Sequence, residues 1–386
     1  MGEAYIVAAK RTAIGRRGGA LANWRPDELL AEALKAVVQE VKLDPAELDD
    51  IIGGCVYQIG EQGGTVTRAA SLAADFPVEV PAATLNRQCG SSLSAMNLCA
   101  GMIMSGMRDC MIACGIEIMS KYPIMSDFEG LNKGFPIGPK YFQRFKMAVN
   151  QGQAAEMIAN KWGITPEEMD KFAVASHQKA HKATQEGKFK DEIILLKTKD
   201  KEGKEIIFTV DECIRPDTSL EKLATLKPAL ATKIITAGRS SPVSDGASAV
   251  LLMSEKKLKE KKLEPLARVV ATDVIGDDPI MMLTGPIQVT HKILKRTGMK
   301  LSDIDLYEIN EAFAPVPMAW LIEHKADPER LNVNGGALAI GHPVGNSGTR
   351  LVTTAVHELR KRKARYALIS LCTGFGMAPA AIIERC

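Results

Sequence analysis

AATLNRQCGSSLSAMNLCAGMIMSGMRDCMIACG, residues 82–115, is the stretch that decides how this chain folds. It opens with a short strand, 82–86. A tight turn follows, Cys89-Gly90-Ser91-Ser92, then a helix of small residues over 92–105, then a strand ending Ala113-Cys114-Gly115. Strand, glycine turn, helix and strand predict a parallel-type sheet with helices packed on it. The same order returns near the other end. A strand over 331–334 leads to a glycine-rich segment, 335–348, then a helix over 347–361 and a strand ending Leu371-Cys372-Thr373-Gly374. The two copies share little identity, and the order of elements carries the repeat.

Working outward, 5–9 and 51–56 read as strands. Pro26-Asp27-Glu28 opens a helix, with proline and acids in its first turn, and 65–75 reads as a second helix. Later strands are expected at 246–253, 268–275, 306–309, 367–371 and 378–383. Helices are expected at 254–263, 286–296 and 311–323. The lysines of 254–263 alternate with Glu255 and Glu260, so that helix reads as a solvated face. Residues 121–245 interrupt the pattern. Pro123, Gly130, Gly134, Pro136, Gly138 and Pro139 make 121–150 an irregular loop, and helices over 152–162 and 166–186 follow. A charged hairpin at Lys199–Lys204 is expected to face solvent, with contact to another subunit as the alternative. This segment is expected to cover the site. The implied division is 1–120 plus 246–263 as one half, 121–245 as an inserted loop domain, and 264–386 as the other half.

Composition narrows the function. The chain has 386 residues, 49 Lys plus Arg, 46 Asp plus Glu and a net charge of +3, which disfavours nucleic-acid binding through bulk charge. Hydrophobic residues at 46% and charged residues at 25% describe a globular protein. Eight cysteines include no CxxC pair, against a disulfide scaffold or a zinc ribbon. Free thiols imply a reducing compartment. MGEAYIVAAKRTAIG lacks the charge order of a signal peptide, and no run of about 18 apolar residues occurs, so a cytoplasmic protein without a membrane span is expected.

Three glycine-flanked spots hold candidate chemistry. Cys89, at a helix start, has the dipole and nearby N–H groups to favour a thiolate; a buried structural cysteine is the alternative. His342 stands between Gly341 and Pro343 in a segment whose five glycines are costly in chain entropy. That segment lacks the Gly-Lys-Ser/Thr of a nucleotide phosphate loop. Cys372 meets Gly374 and Gly376 at the carboxyl end of a strand, where ligands bind in such sheets. His177 and His181 lie four apart with no third metal ligand in register, and read as an exposed helical face.

Together with Val7–Thr12, Thr236-Ala237-Gly238, Ser244-Asp245-Gly246-Ala247 and Asn310-Glu311-Ala312-Phe313-Ala314, these blocks resemble the thiolases, over essentially the whole chain. The resemblance implies an α/β fold, a duplicated αβαβα layered sandwich with an inserted loop domain. It implies reversible thiolytic cleavage of a 3-oxoacyl-CoA by coenzyme A, in fatty acid or ketone metabolism. Cys89 matches the nucleophile, His342 its base, and Cys372 the thiol that moves a proton at the alpha carbon. Asn310 matches a residue that holds, with His342, a water in one oxyanion hole. Gly374 matches the backbone donor that joins the Cys89 N–H in the other. Ser241 lies where the family contacts pantetheine, and Arg215 is a candidate cation for the coenzyme. No metal and no tightly bound cofactor are implied; coenzyme A is a substrate. A homodimer or homotetramer is implied, with a separate accessory subunit also open.

The chemistry is coherent in itself. A soft thiolate suits attack at the ketone, preorganised donors suit the enolate oxygen, and a second thiol suits the carbon protonation. A decarboxylating condensing enzyme of the same broad fold would typically lack Cys372. A non-catalytic acyl-CoA-binding subunit would be expected to lose Cys89 or His342. Three positions depart from the family pattern. Phe375 replaces the middle glycine of Cys-x-Gly-Gly-Gly, Cys114 replaces a glycine, and Asn150-Gln151-Gly152 stands where His-Met-Gly is usual. They leave open a bulky, branched or aromatic acyl group.

Overall fold

A computed structural model describes residues 2–127, 137–200 and 202–386. Gly130, Gly134 and Pro136 lie outside the described residues. Up to residue 118 the elements are β1 (Ala4–Arg11), β2 (Gly15–Arg16), α1 (Pro26–Glu40), β3 (Asp50–Gly54), α2 (Val66–Ala73), β4 (Ala82–Leu85), α3 (Ser91–Met104) and β5 (Cys110–Ile118). An intervening segment holds α4 (Pro139–Phe145), α5 (Gln151–Trp162), α6 (Pro166–Gln185), the hairpin β6 (Leu196–Lys199) and β7 (Glu205–Phe208), and α7 (Leu220–Ala224). Then come β8 (Ser244–Ser254), α8 (Glu255–Lys261), β9 (Ala267–Gly276), α9 (Gly285–Thr297), β10 (Leu306–Ile309) and α10 (Pro315–His324). The chain closes with α11 (Ala337–Ile340), α12 (Ser347–Arg362), β11 (Tyr366–Ser370) and β12 (Met377–Arg385).

The large sheet runs β4-β3-β5-β8-β1-β9-β12-β11-β10. It is two copies of one topology joined edge to edge. In the first copy β3 lies parallel to β4 and β5, while β8 is antiparallel to β5 and β1. In the second β10 lies parallel to β11, while β12 is antiparallel to β11 and β9. The two copies meet where β1 pairs with β9 at Tyr5↔Arg268 and Ile6↔Ala267. Helices α3 and α12 pack on each other and on strands of both copies, while α1 and α9 cover the opposite faces. The result is helix, sheet, helix, sheet, helix, the layered α/β sandwich expected. The apolar clusters follow these layers: Leu30 and Leu34 outside one sheet, Leu93, Met96, Leu351 and Val352 in the middle, Ile287 and Ile293 outside the other.

Small residues let the two middle helices touch at their N-terminal ends. A Cβ on Gly348 would lie 2.1 Å from the Leu93 nitrogen. Beside it the Thr349 N–H donates to Ser92 Oγ at 3.1 Å. One helix thereby supplies the other with a cap for a first-turn N–H. The intervening segment is pinned by buried charge. Arg11, fully buried, donates to Glu192 at 2.7 Å and to Asp211 at 2.7 and 3.0 Å.

Several expectations change. Residues 331–334 make no strand, only a parallel bridge from Leu331 to Tyr307, because Asn332 and Gly335 turn left-handed at φ 42° and 78°. The helix expected from 311 starts at Pro315, and Glu311 is a buried hydrogen-bond acceptor instead. Part of 121–150 is helical, as α4. His177 is buried, not exposed, and accepts the Arg215 N–H at 3.1 Å. The hairpin tip is exposed at Lys199, but its base is not, since Leu196 and Phe208 join the first core.

Candidate active site

Cys89 sits just before α3, in the turn leaving β4. Gln88 ahead of it is left-handed, at φ 50°. Ser91 Oγ accepts the Arg87 N–H at 2.9 Å and donates to the Gln88 carbonyl at 2.6 Å. This turn aims the Cys89 sulfur at its own N–H and at the N–H of Gly374, in the loop after β11. Burial pushes the Cys89 thiol up to about 12, reinforced by the charge of Glu117 and opposed by those two N–H groups. Helix-end stabilisation, the expectation from sequence, is outweighed by desolvation. Cys372 lies two residues past β11 (Tyr366–Ser370); burial raises its thiol well above the ordinary value, and the neighbouring Cys89 raises it further.

His342 follows Gly341, whose φ of 110° admits no ordinary side chain and whose Cβ would lie 2.8 Å from Ile14. The His342 N–H donates to Ser244 Oγ at 2.7 Å. Its ring Nδ1 lies 2.6 Å from Ser347 Oγ, and Ser347 donates its one proton to the Pro343 carbonyl at 2.9 Å. Assigning the Ser347 proton to the Pro343 carbonyl makes Ser347 an acceptor toward the ring and puts the ring proton on Nδ1. Nε2 is left as the basic nitrogen. Burial, then Arg350, pulls His342 down to about 3. The resting pair is a thiol and a neutral imidazole.

Asn310, just after β10, brings its amide nitrogen to 3.3 Å from Nε2 and 3.5 Å from Nδ1. It is held from behind. The Asn310 N–H donates to the Ser370 carbonyl at 3.0 Å. Glu311 accepts from Ser176 Oγ at 2.6 Å, Asn332 at 2.8 Å and the Leu338 N–H at 3.2 Å. The structure thus brings Cys89, Cys372 and Gly374 together, and pairs Asn310 with His342. The Ser241 N–H donates to the Ala312 carbonyl at 2.9 Å, two residues from Asn310. Arg215 is exposed on the intervening segment beside His177. Asn150, where a pantetheine contact was in question, caps α5 and bonds the Leu230 carbonyl at 3.0 Å.

Sequence reasoning gave no role to Ser347 or Glu117. Glu117 is fully buried in β5 and accepts N–H groups from Val56 at 2.9 Å, Tyr57 at 3.2 Å, Gln62 at 2.6 Å and Gly345 at 3.0 Å. It fastens the His342 loop to the Cys89 side. Its signal was present, as the one charged residue in a strand buried throughout.

An electrophilic carbon at Cys89 would meet a thiol, two N–H donors for an oxygen, and a second thiol. With a basic nitrogen beside Asn310, this is equipment for acyl transfer through a thioester. Comparison with known proteins agrees. Residues 4–256 match the thiolase N-terminal domain and 263–385 the thiolase C-terminal domain. The steroid 3-ketoacyl-CoA thiolase FadA6 of Mycobacterium tuberculosis is 45% identical, over 100% of this chain and 95% of its own. The 3-ketoacyl-CoA thiolase of Bacillus subtilis is 39% identical over 100% of both chains. The crystal structures of Bacillus anthracis acetyl-CoA acetyltransferase and human mitochondrial 3-ketoacyl-CoA thiolase each superpose with a TM-score of 0.91. They are 38% and 36% identical, over 100% of this chain and 99% of theirs. The fold and these matches define an acyltransferase. The chain belongs to the thiolase family.

Proposed function

We propose that this thiolase cleaves a 3-oxoacyl-CoA with coenzyme A, reversibly, through an acyl thioester on Cys89. The observation that carries the reading is the Cys89 sulfur beside the N–H groups of Cys89 and Gly374, with Cys372 next to it. His342 Nε2 takes the Cys89 proton as sulfur attacks the ketone carbon. The C2–C3 bond breaks, and its electron pair passes to C2. The enolate oxygen is held by His342 and a water on Asn310, and Cys372 gives C2 its proton, releasing acetyl-CoA. Coenzyme A then attacks the acyl-enzyme, its thiol proton going to Cys372. Collapse frees Cys89, which recovers its proton from His342. The Cys89 and Gly374 N–H groups hold the oxygen of the acyl group.

In this reading Ser241 contacts pantetheine, Arg215 serves the coenzyme's phosphates, and no resident metal or cofactor takes part. The two sheet copies act as the two halves, and the intervening segment serves as the loop domain over the substrate. The 3-ketoacyl-CoA thiolases among its relatives support the 3-oxoacyl class. A homodimer is proposed through the first copy. There β4 is an edge strand of the sheet, and Leu72 and Val78, close to it in sequence, are 43% and 70% exposed. A cytoplasmic location fits the free thiols; among the described residues no helix is long and apolar enough to cross a membrane.

The test is a panel of 3-oxoacyl-CoA thioesters incubated with coenzyme A, followed by loss of 3-oxoacyl absorbance. Absence of turnover across the panel defeats the reading. Cys89→Ala is expected to abolish acyl-enzyme by intact-mass spectrometry, while Cys372→Ala still accepts an acyl group from an acyl-CoA onto Cys89. Loss of that transfer in Cys372→Ala defeats the assigned roles.

A further inference from the structure

One residue of the Gly374 loop stands in an uncomfortable conformation. Phe375 has φ 62°, in the left-handed region that disfavours side chains, and is 39% exposed. The tight turn from Thr373 to Met377, closed by the Thr373 N–H on the Met377 carbonyl at 3.2 Å, calls for left-handed backbone at Phe375 and Gly376, and a glycine would serve there at lower cost. Core packing does not require the ring either, because the ring is not in a core. It lines an open cleft of about 800 Å³ with Tyr141, Arg144, Phe145, Ile280 and Met377. Tyr141 and Phe145 stand with ring centroids 4.8 Å apart, and the Arg144 guanidinium lies over Phe145 at 4.9 Å. The cleft is within the usual size of small-molecule sites. It begins one residue beyond Gly374, whose N–H faces the Cys89 sulfur.

We infer that Phe375 is a specificity-determining residue. With Tyr141 and Phe145 it receives an acyl group carrying a flat aromatic or fused alicyclic ring close to C3 of the 3-oxoacyl-CoA. The inference rests on the proposed role of Cys89. Three aromatic side chains lining one cleft favour a flat apolar partner over a flexible alkyl chain, which gains little from π-surfaces. The coenzyme's own adenine is the competing occupant. Two arguments disfavour it: the pantetheine arm separates adenine from the reacting thioester, and Asp277 and Asp278 outnumber Arg144 among the charges on the cleft, against its phosphates.

The experiment compares kcat/KM for 3-oxo-3-phenylpropanoyl-CoA and 3-oxohexanoyl-CoA in the wild type, Phe375→Gly and Tyr141→Ala. Phe375→Gly relieves the backbone, so it folds. The expected result is a ring-to-linear ratio above one in the wild type that falls roughly ten-fold in Phe375→Gly, the size of one lost aromatic contact. Tyr141→Ala is expected to lower it in the same direction. An unchanged ratio in Phe375→Gly overturns the inference while leaving the thiolase reading intact. A rise in KM for free coenzyme A, equal for both substrates, assigns the cleft to adenine and also overturns it. No turnover of either substrate, with no acylation of Cys89, removes the thiolase reading and the inference together.

Discussion

Replacing Ser347 by Ala tests how His342 is prepared for its role. The Ser347 hydroxyl accepts from Nδ1 at 2.6 Å and donates to Pro343 at 2.9 Å. Alanine removes both bonds and leaves the Nδ1–H buried without an acceptor, which costs about 1–3 kcal/mol. The ring then gains by moving its proton to Nε2. An acceptor is at hand, since the Asn310 side-chain oxygen is buried without a partner and an amide rotation brings it to the place of its nitrogen, nearer to Nε2 at 3.3 Å than to Nδ1 at 3.5 Å. In that tautomer Nε2 cannot take the Cys89 proton. If the misplaced proton costs ~1.4–2.8 kcal/mol, acylation of Cys89 slows about ten- to a hundred-fold. Rapid-quench intact-mass spectrometry reads the acylation rate, and ¹⁵N spectra of histidine-labelled protein read the tautomer. Ser347→Thr, which keeps the hydroxyl, is expected to restore most of the rate. Wild-type acylation in Ser347→Ala, with Nδ1 still protonated, would refute the reasoning.

Three further outcomes follow from the packing and the buried charges. Gly348→Ala forces a methyl group to 2.1 Å from the Leu93 nitrogen, so the middle helices must part; a loss of ~3 kcal/mol is expected in urea unfolding. Arg11→Ala strands two buried carboxylates, Glu192 and Asp211. A loss of ~3–5 kcal/mol is expected, with earlier proteolysis between residues 186 and 215 than elsewhere. Glu308 is buried beneath Arg350, and burial raises it from 4.5 to about 8. A carboxyl group raised on folding contributes stability that is present below its unfolded value and lost as pH rises through its folded one. The wild type should therefore lose ~1.4 kcal/mol per pH unit relative to Glu308→Gln between pH 4.5 and 8. Denaturant titrations at several pH values check it, and a flat difference would refute it.

Cys89, His342, Cys372 and Asn310 were legible because each stands in a motif readable along the chain. Their supports were not. Ser347 acts only because the turn at Pro343 folds it back five residues onto the ring. Glu117 acts on Val56 and Gly345, partners far from it in the chain. The strand expected at 331–334 failed on Asn332, whose left-handed φ no apolar pattern announces. The N–H groups expected to favour a Cys89 thiolate are in place, but burial opposes them, and a helix end is visible in sequence where desolvation is not. The repeat was legible as an order of elements. The chain entry of β8 between β1 and β5, which makes both copies the same topology, required the structure.

The first strand carries a consequence for synthesis. β1 lies between β8 and β9, so Ala4–Arg11 has no neighbour in the sheet until residues 244–276 exist. At about 5–20 residues per second, the ribosome needs roughly 10–50 s to deliver them. During that interval β5 and β1 both present open edges, and the second thiol, Cys372, has not yet been made. Sheet closure and assembly of the chemistry are late events of one process, so a truncated product is left with exposed strand edges and no complete site.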